Sequence, residues 1–242
     1  MLTALYRIYQ ILIMWPLLIV FTVITAVITV TGCALGFGRV MGYYPEILWG
    51  RMFCWLAFVR VTSEGHDNID PDTSYVFTPN HQSAYDIFSI YGYLGHEFRW
   101  MMKQELRKLP IVGWACERSG QIFVDNSSVS ATRHTMAEAE SRLRGGMSLV
   151  VFPEGARTWD GRMRRFKKGA FKLAMEFGLP IVPVTIDGAF PIQPRFRKLC
   201  NPGHIHLTIH KPIAPPTDEH DITRVMEEAH RVVESALPPA EQ

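Results

Sequence analysis

The sequence predicts an α/β domain with a mixed, mainly parallel sheet flanked by helices, carried on an N-terminal two-helix membrane anchor. Two observations predict this architecture. After about residue 60, short apolar strand patterns alternate with longer helix patterns, as they do in βαβ units. Before that point the chain is almost entirely apolar. We therefore expect residues 1–60 to form the anchor and residues 61–242 to form one domain.

The anchor prediction rests on the longest uncharged run. Residues 8–38, 31 in all, contain no charged side chain and no histidine, and residues 11–30 have the length of a membrane-spanning helix. A second apolar stretch, residues 44–61, is interrupted by Glu46 and Arg51 and contains several aromatic residues, which favours an interfacial helix. The sequence leaves open whether the first helix crosses the bilayer or enters one leaflet. A cleaved signal peptide and a lipoprotein signal ending at Cys33 are weaker alternatives.

The strands and helices of the second part follow in order. Short apolar runs predict strands at residues 74–77, 120–124, 148–152, 181–186 and 205–210. Longer patterns predict helices at residues 83–94, 130–144, 168–177 and 218–236. Because Pro183 lacks a backbone N–H, its strand is expected at the edge of the sheet or at a bulge.

Composition excludes some classes of function. The chain of 242 residues has a formal net charge of only +2, so no general signature of nucleic-acid binding is present. Its hydrophobic content of 48% is enough for a substantial core. The four cysteines are far apart and form no CxxC motif, which favours reduced thiols in a cytoplasmic compartment.

His81 and Asp86 are the first candidate site. Five positions apart, they would lie about 140° apart on one helix and could not meet there. Pro79 discourages helix before His81, and Ser83 is a good N-cap, so His81 is expected in a strand-to-helix turn. Asp86 could then accept the Nδ1–H of His81 and leave Nε2 free to take a proton from a hydroxyl. Alternatively, Asp86 caps its own helix through a variant of the capping box.

No nucleophile motif accompanies this pair. The chain has no G-x-S-x-G sequence, and Ser83 is too close to His81 to predict a triad serine. These observations favour direct attack by a substrate hydroxyl over a covalent enzyme intermediate. A developing oxyanion would then need backbone N–H donors or a nearby cation.

Two further clusters have several interpretations. Five cations fall within residues 162–168, namely Arg162, Arg164, Arg165, Lys167 and Lys168. They could bind a substrate phosphate, the phosphates of a carrier or anionic lipid, or form a solvated turn; the intervening Met163 and Phe166 favour phosphate or membrane contact. The histidines at 204, 206 and 210 share one face of a predicted strand, where an exposed face is favoured over a zinc site.

Five sequence blocks together resemble the membrane glycerolipid acyltransferases, specifically the bacterial 1-acylglycerol-3-phosphate acyltransferases. The first, N-H-x4-D, is matched by Asn80, His81 and Asp86. The other four are K-x-E-L-x3-P-x2-G at 103–113, G-x-I-F-[IV]-D-R at 120–126, F-P-E-G-[TA]-R-[ST] at 152–158 and a proline-containing strand at 180–184. In the third block Asn126 replaces the family's arginine.

The resemblance implies an α/β domain on an N-terminal helical membrane motif. It also implies transfer of a fatty acyl group from acyl-CoA or acyl carrier protein to the 2-hydroxyl of 1-acylglycerol-3-phosphate, giving phosphatidic acid. His81 would be the general base and Asp86 would orient it. The substrate-binding residues expected from the matched blocks and the cations near them are Lys103, Phe123, Glu154, Gly155, Arg157 and Lys168. Arg157 is the best phosphate ligand among them, because its fork can bind two oxygens.

No metal and no cofactor is expected, since the acyl thioester is a substrate. The expected partners are the lipid bilayer, a lysophospholipid acceptor and the acyl donor, with no nucleic acid. Because thioester donors are cytosolic, we expect an inner-membrane protein whose catalytic domain faces the cytoplasm.

Three other functions remain open at this stage. Asn126 brings no charge, so a different lysolipid could be the acceptor, although Arg133 or Lys168 could compensate in space. Water could replace the acceptor, which would make the protein a thioesterase. A non-catalytic lipid-binding membrane protein is the alternative from another class.

Overall fold

A computed structural model describes residues 2–124, 135, 137, 139, 147–239 and 241. Residues 135, 137 and 139, within the helix predicted at 130–144, are helical. The rest of that prediction lies outside the described residues, as do Asp125, Asn126 and Arg133.

The chain begins with one long apolar helix. Helix α1 (Leu2–Tyr9), a π-helical turn (Gln10–Met14) and α2 (Trp15–Ala34) follow each other without a break. Within them, Thr3–Ala34 forms a 32-residue helix that is long and apolar enough to cross a membrane. Its length corresponds to about 48 Å, more than the hydrocarbon core of a bilayer. In the part of the chain that is described, no second helix meets this test.

The second helix of the predicted anchor packs into the domain. After the short α3 (Gly38–Met41), helix α4 (Tyr44–Leu56) lies against α5 (Tyr85–Tyr93). The rings of Phe53 and Phe88 stack with their centroids 4.0 Å apart. Gly50 allows this close approach, because a Cβ there would lie 2.6 Å from the carbonyl oxygen of Phe88. Helix α4 therefore supports the helix that carries Asp86.

Seven strands form one sheet. In chain order they are β1 (Val59–Glu64), β2 (Val76–Pro79), β3 (Phe98–Lys103), β4 (Ile122–Val124), β5 (Ser148–Val150), β6 (Ile181–Asp187) and β7 (Gly203–Ile209). Their order across the sheet is β1-β7-β6-β2-β5-β3-β4. Only the β6–β7 pairing is antiparallel among these neighbours, so the predicted mixed, mainly parallel sheet is confirmed.

Helices cover both faces of the sheet. The remaining ones are α6 (Val112–Arg118), α7 (Gly169–Phe177), α8 (Ala189–Ile192) and α9 (Asp221–Ser235), with 3-10 turns at His66–Asn68 and Gln104–Lys108. Neighbouring strand residues alternate between the two cores: Phe77 and Val150 pack in the layer with α4 and α5, whereas Val76 and Leu149 pack with α7 and α9. This alternation follows from the two-residue period of a strand that is buried on both faces.

For Pro183 the predicted edge position was wrong, whereas the alternative of a bulge agrees with the pairing, because Val184 pairs with Ile209 but Ile181 pairs with Ile213, a shift of one residue. Strand β6 lies between β2 and β7, so it is an interior strand. Pro183 is tolerated because the β6–β7 pairing begins one residue later, at Val184. Its own carbonyl accepts the backbone N–H of His210 at 3.1 Å. The missing N–H therefore removes no bond from that ladder.

Candidate active site

The candidate site lies where parallel strands end. Strands β2 and β5 are parallel neighbours, so their carboxyl ends meet at one edge of the sheet. The turn after β2 contains His81, and the turn after β5 contains Glu154. In open α/β sheets, ligands bind at this edge.

Asp86 holds both His81 and the start of its own helix. Its Oδ2 lies 2.8 Å from Nδ1 of His81 and accepts the backbone N–H groups of Gln82 at 2.7 Å and Ser83 at 2.8 Å. The carboxylate is fully buried. The two alternatives drawn from the sequence, a partner for His81 and a helix cap, are therefore both present in one side chain.

The plane of the His81 ring is also fixed. It stacks on Phe152 with centroids 3.7 Å apart and an interplanar angle of 11°, and Phe152 in turn stacks on Trp100. A carboxylate can only accept, so Nδ1 carries the proton and Nε2 has the lone pair. Nε2 bonds to none of the described residues, and the side chain is 12% exposed. An incoming hydroxyl can reach it.

Glu154 joins the two turns. One carboxylate oxygen accepts the backbone N–H of His81 at 2.7 Å, and the other accepts that of Arg164 at 2.8 Å. A backbone hydrogen bond from the Thr158 N–H to the His81 carbonyl, at 3.0 Å, also connects the two turns. Burial raises the pKa of Glu154 to about 7, against the effect of these backbone hydrogen bonds. Any influence of Glu154 on substrate thus passes through the turn that it holds.

Gln82 fastens the same turn from the other side. Its Nε2 donates to the carbonyl of Gly161 at 3.0 Å and to Glu241 Oε2 at 2.8 Å. The backbone of Met163 donates to the carbonyl of Glu241 at 2.9 Å. Sequence reasoning missed both Gln82 and Glu241, since their 159-residue separation leaves no local pattern.

Gly155 makes room for a lysine. Its φ is +78°, and a Cβ there would lie 2.7 Å from Nζ of Lys167. The ammonium group of Lys167 therefore rests on the turn after β5. Lys168, the lysine expected to bind substrate, is exposed and directly precedes α7. Adjacent lysines cannot be told apart from sequence, and the role expected for Lys168 stays a prediction.

Arg157 is a half-buried cation close to the His81–Asp86 pair. Burial lowers its pKa, and so does the neighbouring Arg195, while Asp86 raises it. Within residues 2–124 and 147–239 no carboxylate forms an ion pair with it. Lys103 is exposed at the end of β3. Phe123 is buried beneath the guanidinium of Arg107, 5.0 Å from its ring centroid.

One argument from the basic cluster was wrong. Met163 and Phe166, which favoured contact with a membrane or phosphate, are buried in the core layer with α7 and α9. The cations between them point outward, and Arg164 pairs with Asp160. His204 and His206 lie on one sheet face and share the hydroxyl of Thr62.

Comparison with known proteins decides the family. A family model described as Acyltransferase matches residues 60–187, which include β1 to β6 and both turns of the site. The chain belongs to the acyltransferase family. This membership confirms the resemblance read from the sequence blocks.

Two relatives of the chain have the same enzyme activity in their names. The chain is 32% identical over 184 residues to a 1-acyl-sn-glycerol-3-phosphate acyltransferase of Chlamydomonas reinhardtii, covering 75% of this chain and 54% of the relative. It is 34% identical over 177 residues to the chloroplastic LPAT1 of Arabidopsis thaliana, which has the same enzyme name, covering 72% and 49%. The chain spans about half the length of these curated relatives.

A solved structure matches over almost its whole length. The acyltransferase chain aligns with the crystal structure of the 1-acyl-sn-glycerophosphate (LPA) acyltransferase PlsC from Thermotoga maritima at a TM-score of 0.73 and 28% identity. The match covers 95% of this chain and 97% of that one. The similarity therefore includes the long N-terminal helix as well as the sheet.

Proposed function

We propose that the protein transfers a fatty acyl group from an acyl thioester to the 2-hydroxyl of 1-acylglycerol-3-phosphate, giving phosphatidic acid. The geometry of His81 and Asp86 carries this proposal, because Asp86 orients the ring while Nε2 bonds to none of the described residues, and the cation of Arg157 lies close enough to Asp86 to interact with it. The names of the relatives and of the structural neighbour support the choice of acceptor.

In this mechanism His81 acts as general base. Nε2 takes the proton of the acceptor hydroxyl while its oxygen attacks the thioester carbonyl, forming the new C–O bond. The tetrahedral intermediate then collapses, the C–S bond breaks, and the leaving thiolate takes the proton from the imidazolium. Asp86 stabilises the imidazolium and keeps the ring oriented, as the carboxylate of a catalytic triad does. Gln82 and Ser83 N–H groups hold Asp86 in place.

The phosphate of the acceptor is assigned to the cations around the turn after β5. Arg157 can bind two phosphate oxygens, and Lys167 adds a point charge over Gly155. Glu154 supports the turn that presents these groups. Lys103, Phe123 and Lys168 are further candidates for substrate contact.

The acceptor and product are membrane lipids, so the site must work at a bilayer surface. The helix Thr3–Ala34 supports this, since many of its large apolar side chains are exposed. We further propose that the donor is acyl-CoA or acyl carrier protein. The catalytic domain would accordingly face the cytoplasm from the inner membrane.

An acceptor panel tests the proposal. Purified protein in phospholipid vesicles is incubated with labelled acyl-CoA and, in separate reactions, with 1-acylglycerol-3-phosphate or with lysolipids that have other headgroups. We expect labelled phosphatidic acid as the main product. Faster acylation of another lysolipid would transfer the assignment to that acceptor, which the replacement of the family arginine by Asn126 makes worth testing.

A donor-only reaction separates the remaining alternatives. Without acceptor we expect neither free fatty acid nor label bound covalently to the protein, because His81 has no nucleophile beside it. Fatty acid release at the rate of transfer would indicate a thioesterase. A stable acyl-protein would contradict direct attack by the acceptor.

A further inference from the structure

The loop after α8 is tied to the catalytic turn. Ser83, two residues after His81, donates its hydroxyl to the carbonyl of Gln193 at 3.0 Å. The side chain of Gln193 bonds to the carbonyl of Lys198 at 2.9 Å, which closes the loop on itself. Both Gln193 and Ser83 are buried, so the loop of residues 193–198 begins at a fixed point beside the site.

This loop places Arg195 next to Arg157. The Nη1 of Arg195 donates to the carbonyl of Arg157 at 3.3 Å, and its guanidinium stacks over the Trp159 ring at 4.6 Å from the centroid. The residue between, Thr158, bonds through its N–H to the carbonyl of His81. Arg195 is thus separated from the catalytic turn by a short chain of backbone contacts.

The two arginines differ in their pairing from other arginines of the described chain. Elsewhere in the chain, Arg107, Arg164 and Arg224 each pair with a carboxylate at 3.0 Å or less. Among the described residues, neither Arg157 nor Arg195 has such a partner. Neighbouring like charges repel, and the lowered pKa of Arg157, which is half-buried, reflects this in part. An anion between them would relieve the repulsion.

We propose that Arg195 is a second phosphate ligand, which with Arg157 selects an acceptor that has a phosphate monoester. The assignment rests on the proposed function and names a residue outside all five sequence blocks. Two guanidinium forks can each bind a pair of oxygens, and a terminal monoester offers three oxygens and nearly two negative charges. A phosphodiester headgroup offers two unsubstituted oxygens and one charge, so it fits the pair less well.

Trp159 acts as a positioning residue in this arrangement. Its ring centroid lies 4.6 Å from the Arg195 guanidinium carbon, and the ring so restricts where this guanidinium can lie. Trp159 is 57% exposed, so it contributes little to the hydrophobic core. Replacing Trp159 with Phe keeps a stacking surface, whereas replacing it with Leu removes it.

The test compares two arginines of one loop. Arg195→Ala should raise the KM for 1-acylglycerol-3-phosphate by ~10- to 100-fold, the range expected for lost hydrogen bonds to a charged group. The KM for acyl-CoA should stay unchanged. Arg197→Ala, which removes the same charge from an exposed position two residues away, should leave both values unchanged. Arg195→Lys should recover only part of the affinity, because an ammonium cannot bind two oxygens in a fork.

A second measurement keeps the test valid if Arg195→Ala does not fold. Inorganic phosphate should inhibit the wild-type protein in competition with the acceptor, and Arg195→Lys and Trp159→Leu should both weaken this inhibition, with Trp159→Phe close to wild type. Equal effects of Arg195→Ala and Arg197→Ala would overturn the assignment. So would a rise in the KM for acyl-CoA instead of the acceptor. If the wild type forms no phosphatidic acid, the proposed function itself fails.

Discussion

Substitution of Asp86 tests how one carboxylate oxygen supports both fold and catalysis. In Asp86→Ala, the Nδ1–H of His81 and the N–H groups of Gln82 and Ser83 lose their acceptor. A buried donor without a partner costs about 1–3 kcal/mol, so the three together give a loss of roughly 3–9 kcal/mol in the free energy of unfolding. This is a large part of the ~5–15 kcal/mol available to a domain. We expect Asp86→Ala to be poorly folded.

Asp86→Asn separates the catalytic effect from the structural one. The amide keeps an oxygen for the three donors, but each bond loses its charge, at about 1 kcal/mol apiece. The unfolding temperature should fall by roughly 6–12 °C, since 1 kcal/mol corresponds to about 2–4 °C in a domain of this size. Without a negative charge to stabilise the imidazolium, kcat should fall by ~10²–10⁴-fold, the range of general base catalysis, with little change in the acceptor KM.

The assay measures kcat and KM in vesicles together with thermal unfolding in detergent. Ser89→Ala is the matched control: it removes a buried hydrogen bond to the Asp86 carbonyl on the same helix and leaves the carboxylate untouched. We expect it to lower the unfolding temperature while kcat stays near wild type. The reasoning is refuted if Asp86→Asn keeps a kcat within about threefold of wild type, or if Asp86→Ala is as stable as Asp86→Asn.

Three further predictions concern groups around the site. Burial raises the pKa of Glu154 in the folded protein to about 7, so its contribution to stability is complete below the pKa of the unfolded state and is lost as pH rises through 7. The unfolding temperature of the wild type should therefore fall relative to that of Glu154→Gln between pH 5 and 8. A constant difference between the two proteins would contradict this. Gly155→Ala places a side chain at a φ of +78° and against Lys167, so it should lower the free energy of unfolding by about 1–2 kcal/mol and raise the KM for the acceptor. A variant with wild-type stability and KM would show that neither the backbone conformation nor the contact with Lys167 matters. Gln10→Leu removes two hydrogen bonds to Cys200 and should speed thiol labelling of Cys200 but not of buried Cys54. Equal labelling of Cys200 in variant and wild type would show that Gln10 does not shield its thiol.

The turn at His81 could be predicted because its determinants are local. Pro79 ends the strand and Asp86 falls in the first turn of α5. The N-cap of α5 is Ala84 and not Ser83 as predicted, although the Ser83 hydroxyl accepts the Tyr85 N–H at 3.2 Å. The same holds for the strands around residues 76, 149 and 183, whose continuous apolar runs mark burial on both faces. The sequence predicted that Asp86 either contacts His81 or caps the helix, and it could not show that Asp86 does both.

Other elements depend on contacts that no local pattern reveals. Strand β3 was missed because buried Arg99 interrupts its apolar run; the guanidinium is satisfied by the carbonyls of Gly38 and Arg39, about 60 residues away. Strand β1 was missed because its first residues continue the apolar stretch predicted at residues 44–61. Arg195 meets Arg157 only because α8 and its loop return to the carboxyl edge of the sheet.

The decisive measurement for the role of His81 as general base is the rate at which His81→Ala forms phosphatidic acid. Wild type and variant, at equal amounts of folded protein in vesicles, receive labelled acyl-CoA and 1-acylglycerol-3-phosphate. We expect labelled phosphatidic acid from the wild type and a rate at least ~10²-fold lower from the variant, since no other described residue offers a base at that position. A folded His81→Ala protein that makes phosphatidic acid at the wild-type rate would contradict this role.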